Sequence, residues 1–403
     1  MLKILDLQTA EDSRDIVHRS VQALVEGQLV GLPTETSYAV AAHALCEPAM
    51  ERLCALAKSG GGRKGDERSE TDDSPGVGDF ALSIRSREAA IDYLGDKSTT
   101  ARRLMHRCWP GPLTIQCECR DPLSAISQLP EFVRNRLICQ ENRINFRVVD
   151  HDVLDQIHRY LSAPLVLFSH SNCNYGEVVA TAATLADRYS NDLPLLLDDG
   201  PTRYGGRTTV VQVNGNRWKL LREGVIERAA MNQFVKPVIA LVCTGNTCRS
   251  PMAETIMREQ LRKRTGCEDA VRVLSAGVAA SAGSGASPHA VAVMGKRGLD
   301  LTGHSSRPLD ESVMNVADLV LTMTRGHRAA ILAAWPEMHD RIFTLRRDGG
   351  DISDPVGMDI EVYRACADQI EEELGKWLDS LDDDFFPKNE NEPNNKTNPD
   401  RES

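Results

Sequence analysis

The sequence predicts an α/β protein: an N-terminal mixed α/β domain followed by a smaller, doubly wound parallel-sheet domain. Three observations predict it. Short apolar runs of strand length alternate with helical periodicities along most of the 403 residues. The chain is long enough for two domains, at roughly 100–200 residues each. A break in the pattern falls at AAMNQFVKP, residues 229–237, which reads as a connector.

The first element is a helix over Asp12 to Glu26. Ile16, Val17, Val21, Leu24 and Val25 recur at helical spacing, and Gly27 follows as a stop. Strand-like runs come next: LVGLP at 29–33, FALSI at 80–84, LTIQC at 113–117, INFRVV at 144–149, PLVLFS at 164–169, LPLLLD at 193–198 and TTVVQV at 208–213. A polar, Gly- and Ser-rich stretch from Ser59 to Asp79 reads as a long mobile loop. The second domain opens with VIALVC at 238–243. It continues with strands VRVLS at 271–275, DLVLTM at 318–323 and RIFTL at 341–345. Helices over Pro251–Arg264, Pro288–Arg297, Arg325–Trp335 and Asp359–Leu381 separate them. The domains are therefore expected at residues 1–232 and 236–381. The acidic tail, 382–403, is rich in Asn and Pro and is expected to be disordered.

Composition excludes several functions. The net charge is −11, and 1–235, 236–381 and the tail are each acidic overall, so nothing reads as a general nucleic-acid binder. No run of about 18 apolar residues occurs, which argues against a membrane-spanning helix. The N-terminus MLKILDLQTAEDSRD turns acidic at once, unlike a secretory leader. Eleven scattered cysteines fit a reducing cytoplasm better than a disulfide scaffold.

The most informative stretch is VCTGNTCRSPMAE, residues 242–254. A strand ends at Cys243, a tight loop follows, and Arg249-Ser250-Pro251 starts an amphipathic helix. Five residues between cysteine and arginine let the backbone N–H groups of Thr244, Gly245, Asn246, Thr247 and Cys248 turn inward. Together with the helix N-terminus they can cradle a tetrahedral oxyanion. The same groups stabilise a thiolate, which makes Cys243 the candidate nucleophile. Arg249 can grip two phosphoryl oxygens through its planar fork. Ser250 can donate to the thiolate, and Gly245 allows close backbone approach.

This loop resembles the low-molecular-weight protein-tyrosine-phosphatase family over residues 237–381. LSAGV (274–278), GHSSRPL (303–309), ADLVLTM (317–323) and the pair Asp354-Pro355 resemble that family's other segments. The resemblance implies hydrolysis of a phosphorylated protein through a phosphocysteine, with Asp354 as acid and then base. It implies that Asn246, Ser250 and His304 hold the loop in shape, and that no metal is used. CTGNTCRS resembles the bacterial protein-arginine-phosphatase branch, in which Thr247 would mark phosphoarginine selectivity. Val356-Gly357-Met358 stands where tyrosine-specific members carry aromatics. Cys248 reads either as a packing residue or as a thiol that traps oxidised Cys243. An arsenate-reductase reading lacks an obvious cysteine pair downstream.

The first domain resembles the YrdC-like threonylcarbamoyl-AMP synthase family over about residues 12–228. The resemblance rests on VGLPTETSYAVAAHA (30–44), CWPGPLT (108–114), NFRVVDH (145–151), LLLDDGPTRYGGRTTVV (195–211) and LLREGVI (220–226). It implies condensation of L-threonine, bicarbonate and ATP, the nucleotide coming with magnesium, into a donor for tRNA modification. It also implies contact with tRNA or double-stranded RNA. Thr34, Thr36, Tyr38, Lys58, Thr114, Arg147, Ser169, Thr208 and Arg222 match the nucleotide- and threonine-binding positions. The family's Lys-x-Arg has Gly60 in its second place, with Arg63 and Lys64 nearby. Its Pro-Ser-Ala-Asn reads Phe-Ser-His-Ser at 168–171 with Asn172 one place late, and its Ser-Thr reads Thr208-Thr209. An active synthase and a degenerate nucleotide- or RNA-binding module both fit.

Overall fold

The computed structural model describes residues 1–10, 12–59, 80–94, 98–119, 122–139, 142–170, 177–267, 269–381 and 385–391. Most of the stretch read as a mobile loop, 60–79, lies outside them, as do Gly60, Arg63, Lys64 and Asn172. The chain forms two compact units. One is Met1–Phe234 together with the chain from Lys388 onward, and the other is Val235–Pro387.

The first unit is built on one eleven-stranded mixed sheet. In chain order its first ten strands are β1 (Lys3–Asp6), β2 (Val30–Leu32), β3 (Ala39–His43), β4 (Phe80–Ser83), β5 (Leu113–Glu118), β6 (Arg143–Arg147), β7 (Leu165–Phe168), β8 (Leu195–Asp198), β9 (Thr209–Asn214) and β10 (Arg217–Arg222). Spatially they run β1-β8-β2-β3-β7-β4-β6-β5-β9-β10. The central strands AVAAH, FALS and LVLF are buried almost throughout. Both faces are covered there, which is why they read as continuous apolar runs. At β10, RWKLLR alternates because only one face is buried.

Helices Ser13–Val25 and Asp152–Tyr160 cover one face, with Ile16, Val17, Leu24, Leu154 and Ile157 in the core. Asp12 caps the first by accepting from Arg14 N at 2.9 Å. Gly27 ends it at φ +78°, the left-handed conformation that glycine takes at least cost. On the second, buried His158 meets Ser83 Oγ at 3.0 Å. Burial pushes its imidazole down to about 4.

Two expectations need correction. The connector at 229–237 contains a helix, Arg228–Val235, in which Met231 is fully buried. The expected disordered tail is ordered over 385–391. Phe385 and Phe386 pack on the second unit's core. Lys388–Asn389 then form β15, which runs parallel to Arg217–Trp218 of β10 as the sheet's last strand. Asn391 Nδ2 adds a bond to Leu220 O at 3.1 Å. Two adjacent phenylalanines bury enough apolar surface to offset local ordering, against the polar composition around them.

The second unit has four parallel strands: β11 (Val238–Cys243), β12 (Arg272–Gly277), β13 (Leu319–Thr322) and β14 (Ile342–Thr344), in the order β12-β11-β13-β14. Alternation along β11 sends Ile239, Leu241 and Cys243 to one core and Val238, Ala240 and Val242 to the other. The first core lies under helices Arg249–Thr265 and Ile360–Ser380. The strand order reverses direction at β11. In open α/β sheets the crevice at such a switch point, past the strands' carboxyl ends, is where ligands bind.

Candidate active site

Several chain segments converge at that edge, among them the loop after β11, the end of β12, the loop that carries His304 and Arg307, the start of the helix after β13, and the loop after β14. The loop 243–249 wraps around the Cys243 sulfur, a residue only 3% exposed. Ser250 Oγ lies 2.9 Å from Sγ, and Asn246 N donates to Sγ at 3.3 Å. Asn246 adopts φ +54°, which turns its backbone N–H inward. Its side chain holds the loop shut: Nδ2 donates to Ser250 Oγ at 2.9 Å and Oδ1 accepts from Arg307 N at 2.8 Å. His304 Nε2 bonds to Asn246 O at 2.7 Å. The helix Arg249–Thr265 has no side-chain cap at Cys248, so its first amides stay available to an anion.

The guanidinium of buried Arg249 meets the loop after β14. Nη1 donates to Ile352 O at 3.2 Å and Nη2 to Asp354 Oδ2 at 2.5 Å. The Asp354 carboxylate is 45% exposed, so it is accessible as well as paired. Thr247 is half-buried, and Ser287 N donates to its carbonyl at 2.8 Å. Cys248 Sγ contacts Tyr363 OH at 3.3 Å. Burial and that bond push the phenol up. Nearby Cys366 is pushed up to about 12 by burial and stays a thiol. Cys243, Cys248 and Cys366 are all free.

All the phosphate-loop residues expected from the sequence therefore meet, but the glycine that the loop requires is a different one. A Cβ on Gly245 would meet only Thr247 Oγ1, at an ordinary 3.7 Å. A Cβ on Gly277 would sit 2.5 Å from Thr244 O and 2.9 Å from Asn246 N, inside the loop's own backbone. The sequence reading also missed His327, whose Nε2 lies 2.9 Å from Thr244 Oγ1. Its only local signal is a histidine three residues after a capping threonine.

In the first unit, hydroxyls gather around one buried cation. Arg147, at the end of β6 and 3% exposed, donates from Nη2 to Thr36 Oγ1 at 2.8 Å and Thr34 Oγ1 at 3.4 Å. Thr36 Oγ1 lies 3.3 Å from Thr208 Oγ1, and Arg222 Nε donates to Thr208 O at 3.2 Å. Ser169 joins through Ser37, Oγ to Oγ 2.8 Å. Thr114 is buried on β5 opposite Val210 of β9.

Tyr38 points elsewhere. Its hydroxyl donates to Gly200 O at 2.7 Å and accepts from Asp199 N at 3.0 Å, anchoring the turn after β8. Lys58 lies exposed in the last turn of the helix Glu47–Ser59, outside this cluster. The residue that the sequence reading overlooked is Glu35. Its side chain is fully buried, paired with Arg147 Nη2 at 2.7 Å and accepting from Asp150 N at 3.3 Å. The available signal was a carboxylate between two threonines in an otherwise apolar run.

Comparisons with known proteins match both units. The model of a family described as low molecular weight phosphotyrosine protein phosphatase matches residues 238–386. A YrdC-like family model described as telomere recombination matches residues 74–224, a span that begins after Thr34, Thr36, Tyr38 and Lys58. The chain is 41% identical over 150 residues to a protein-arginine-phosphatase of Bacillus subtilis, covering 36% of this chain and 97% of that protein. It is 34% identical over 141 residues to EpsP of Ralstonia solanacearum, described as a probable low molecular weight protein-tyrosine-phosphatase, covering 35% and 92%. Among solved structures it matches the YwlE arginine phosphatase from Geobacillus stearothermophilus at 40% identity and a TM-score of 0.33, covering 36% of this chain and 92% of that one.

Proposed function

The chain belongs to the low molecular weight phosphotyrosine protein phosphatase family, and from that premise we propose that its second unit removes phosphate from protein arginine through a phosphocysteine on Cys243. The observation that carries this is the buried Cys243 sulfur, with Ser250 and the Asn246 amide aimed at it and the Arg249–Asp354 pair beside it. Sγ attacks phosphorus as the bond to the leaving group breaks, and Asp354 protonates that group. Asp354 then takes a proton from the water that hydrolyses the phosphocysteine. The Arg249 fork and the loop amides of Thr244 to Cys248 hold the phosphoryl oxygens. Ser250 donates to the departing thiolate, while Asn246 and His304 keep the loop closed. Cys248 is the nearest thiol in sequence for capturing an oxidised Cys243.

Arginine is preferred to tyrosine because of Thr247 and of what surrounds Asp354. Val356 and Met358 stand 62% and 56% exposed there, aliphatic side chains rather than aromatic ones. The arginine-phosphatase relatives point the same way, whereas the tyrosine-phosphatase relatives support phosphotyrosine as the second reading. Thr247→Ile should shift the ratio of kcat/KM for phosphoarginine over an aryl phosphate toward the aryl substrate by at least about tenfold. Equal or better phosphoarginine turnover in that variant would reverse the assignment.

For the first unit we propose threonylcarbamoyl-AMP synthesis from threonine, bicarbonate and ATP, with magnesium carried by the nucleotide. Its support is the YrdC-like match and the gathering of the Thr34, Thr36 and Thr208 hydroxyls around the buried Glu35–Arg147 pair. Contact with tRNA or double-stranded RNA belongs to the same reading. So does a cytoplasmic location, which the free cysteines favour. No helix among the described residues is long and apolar enough to cross a membrane. The test uses the full chain carrying Cys243→Ser, because β15 comes from residues 388–389. Pyrophosphate should be released from ATP only when threonine and bicarbonate are both present. Release that ignores threonine, or no release, would favour a non-catalytic nucleotide- or RNA-binding module.

A further inference from the structure

His327 occupies the corner where the phosphate loop meets the acid loop. It lies in the first turn of the helix Arg325–Ala334, just beyond β13. Thr324 caps that helix, its Oγ1 accepting from His327 N at 3.2 Å, so the backbone that carries the ring is fixed. The same helix start is tied to the acid loop. Arg325 N and Nε donate to Asp351 Oδ1 at 2.9 and 3.3 Å. Ile352 N donates to Met323 O at 2.8 Å, while Ile352 O accepts from Arg249 Nη1.

The residue is 8% exposed. Nε2 lies 2.9 Å from Thr244 Oγ1, and that oxygen also accepts from Arg249 Nη2 at 3.4 Å. Nδ1 is buried with no hydrogen-bond partner among the described residues. A threonine hydroxyl has one hydrogen to donate. With Arg249 donating to its oxygen, that hydrogen is free to go to a neutral imidazole through Nε2. The three groups then form a directional chain from Arg249 through Thr244 to His327.

Resting on the phosphatase reading, we propose that His327 is a positioning residue for phosphoryl transfer: as a neutral imidazole it orients the Thr244 hydroxyl, and through it the Arg249 guanidinium. Burial and the adjacent charge of Arg249 hold the imidazole below its ordinary range, against the opposing pull of Asp354 and Asp351. Arg325, on the ring's own helix, is occupied by Asp351. Around neutral pH the ring is uncharged, and the tautomer with its hydrogen on Nδ1 offers Nε2 as the acceptor that Thr244 needs. When pH falls through its lowered pKa, Nε2 becomes a donor and a second cation stands beside Arg249. Both changes undo the chain.

The experiment measures kcat, KM and inorganic-phosphate affinity for the full chain from pH 5 to 8. The variants are His327→Ala, His327→Gln, Thr244→Val and the His327→Ala/Thr244→Val double mutant. His327→Ala should lower kcat/KM about tenfold at pH 7 and weaken phosphate binding. His327→Gln, which offers an amide oxygen near the place of Nε2, should recover most of the loss and remove one ionisation from the acid limb. The double mutant should be no worse than the poorer single one. Wild-type parameters in His327→Ala, no rescue by glutamine in a folded variant, or additive losses would overturn the proposal. Phosphate affinity that depends on His327 in a wild type without turnover would refute the phosphatase reading alone. Turnover independent of His327 would refute this inference alone. A wild type that neither binds phosphate nor turns over would refute both.

Discussion

Cys243→Ser should lower turnover of phosphoarginine and of an aryl phosphate by at least about 10⁴-fold. Phosphate should still bind with nearly the wild-type dissociation constant. The two halves of this result have separate causes. The loop amides, Arg249 and the Asn246–Ser250 and Asn246–Arg307 bonds that hold the loop do not depend on sulfur. The cradle therefore survives the exchange. What is lost is the sulfur nucleophile of the proposed mechanism, because a serine hydroxyl attacks phosphorus far less readily than cysteine sulfur. Single-turnover kinetics and phosphate titration of the same preparation check both halves. Turnover within tenfold of wild type would refute Cys243 as nucleophile. Loss of phosphate binding would show that the sulfur shapes the cradle.

The second large effect is on stability. Glu35→Ala should destabilise the first unit by about 3–5 kcal/mol. Arg147 would keep its charge in the interior with its carboxylate partner gone, and its Nε already has no hydrogen-bond partner among the described residues. Asp150 N would lose an acceptor as well. Removing both charges, as Glu35→Met with Arg147→Met, should recover much of the loss, since a buried ion pair costs about as much to desolvate as it returns. Denaturant unfolding checks this. Because the chain has two units, transitions must be followed separately rather than fitted as one. The transition that shifts should be the one that leaves phosphatase turnover intact. A change below about 1 kcal/mol would mean that water reaches the pair.

The phosphatase half was legible because its chemistry is local. Seven consecutive residues, Cys243 to Arg249, supply the candidate nucleophile, the amides and the guanidinium, and the flanking apolar run and amphipathic helix fix their setting. The strands of the second unit were legible for a related reason: buried parallel strands are continuous apolar runs. The first unit was harder to read. Its mixed sheet includes β1 and β10, exposed or half-exposed strands that carry weak signals on their own. The helix Arg228–Val235 is stabilised by what Met231 buries against, which no local pattern records.

By itself the sequence pointed to two α/β units and a candidate nucleophile with its anion-binding loop, and family resemblance added the candidate acid Asp354. The loop is written in adjacent residues, where spacing sets geometry, and the units in runs of strand and helix periodicity. Only the tertiary structure decided that Gly277 rather than Gly245 is the glycine the loop requires, and that His327 reaches Thr244. The same is true of the Glu35–Arg147 pair, and of residues 385–391, which leave the expected tail to close one edge of the first sheet. Those contacts join residues 31 to 171 positions apart. Their energies come from close approach and desolvation, which exist only once the chain has folded.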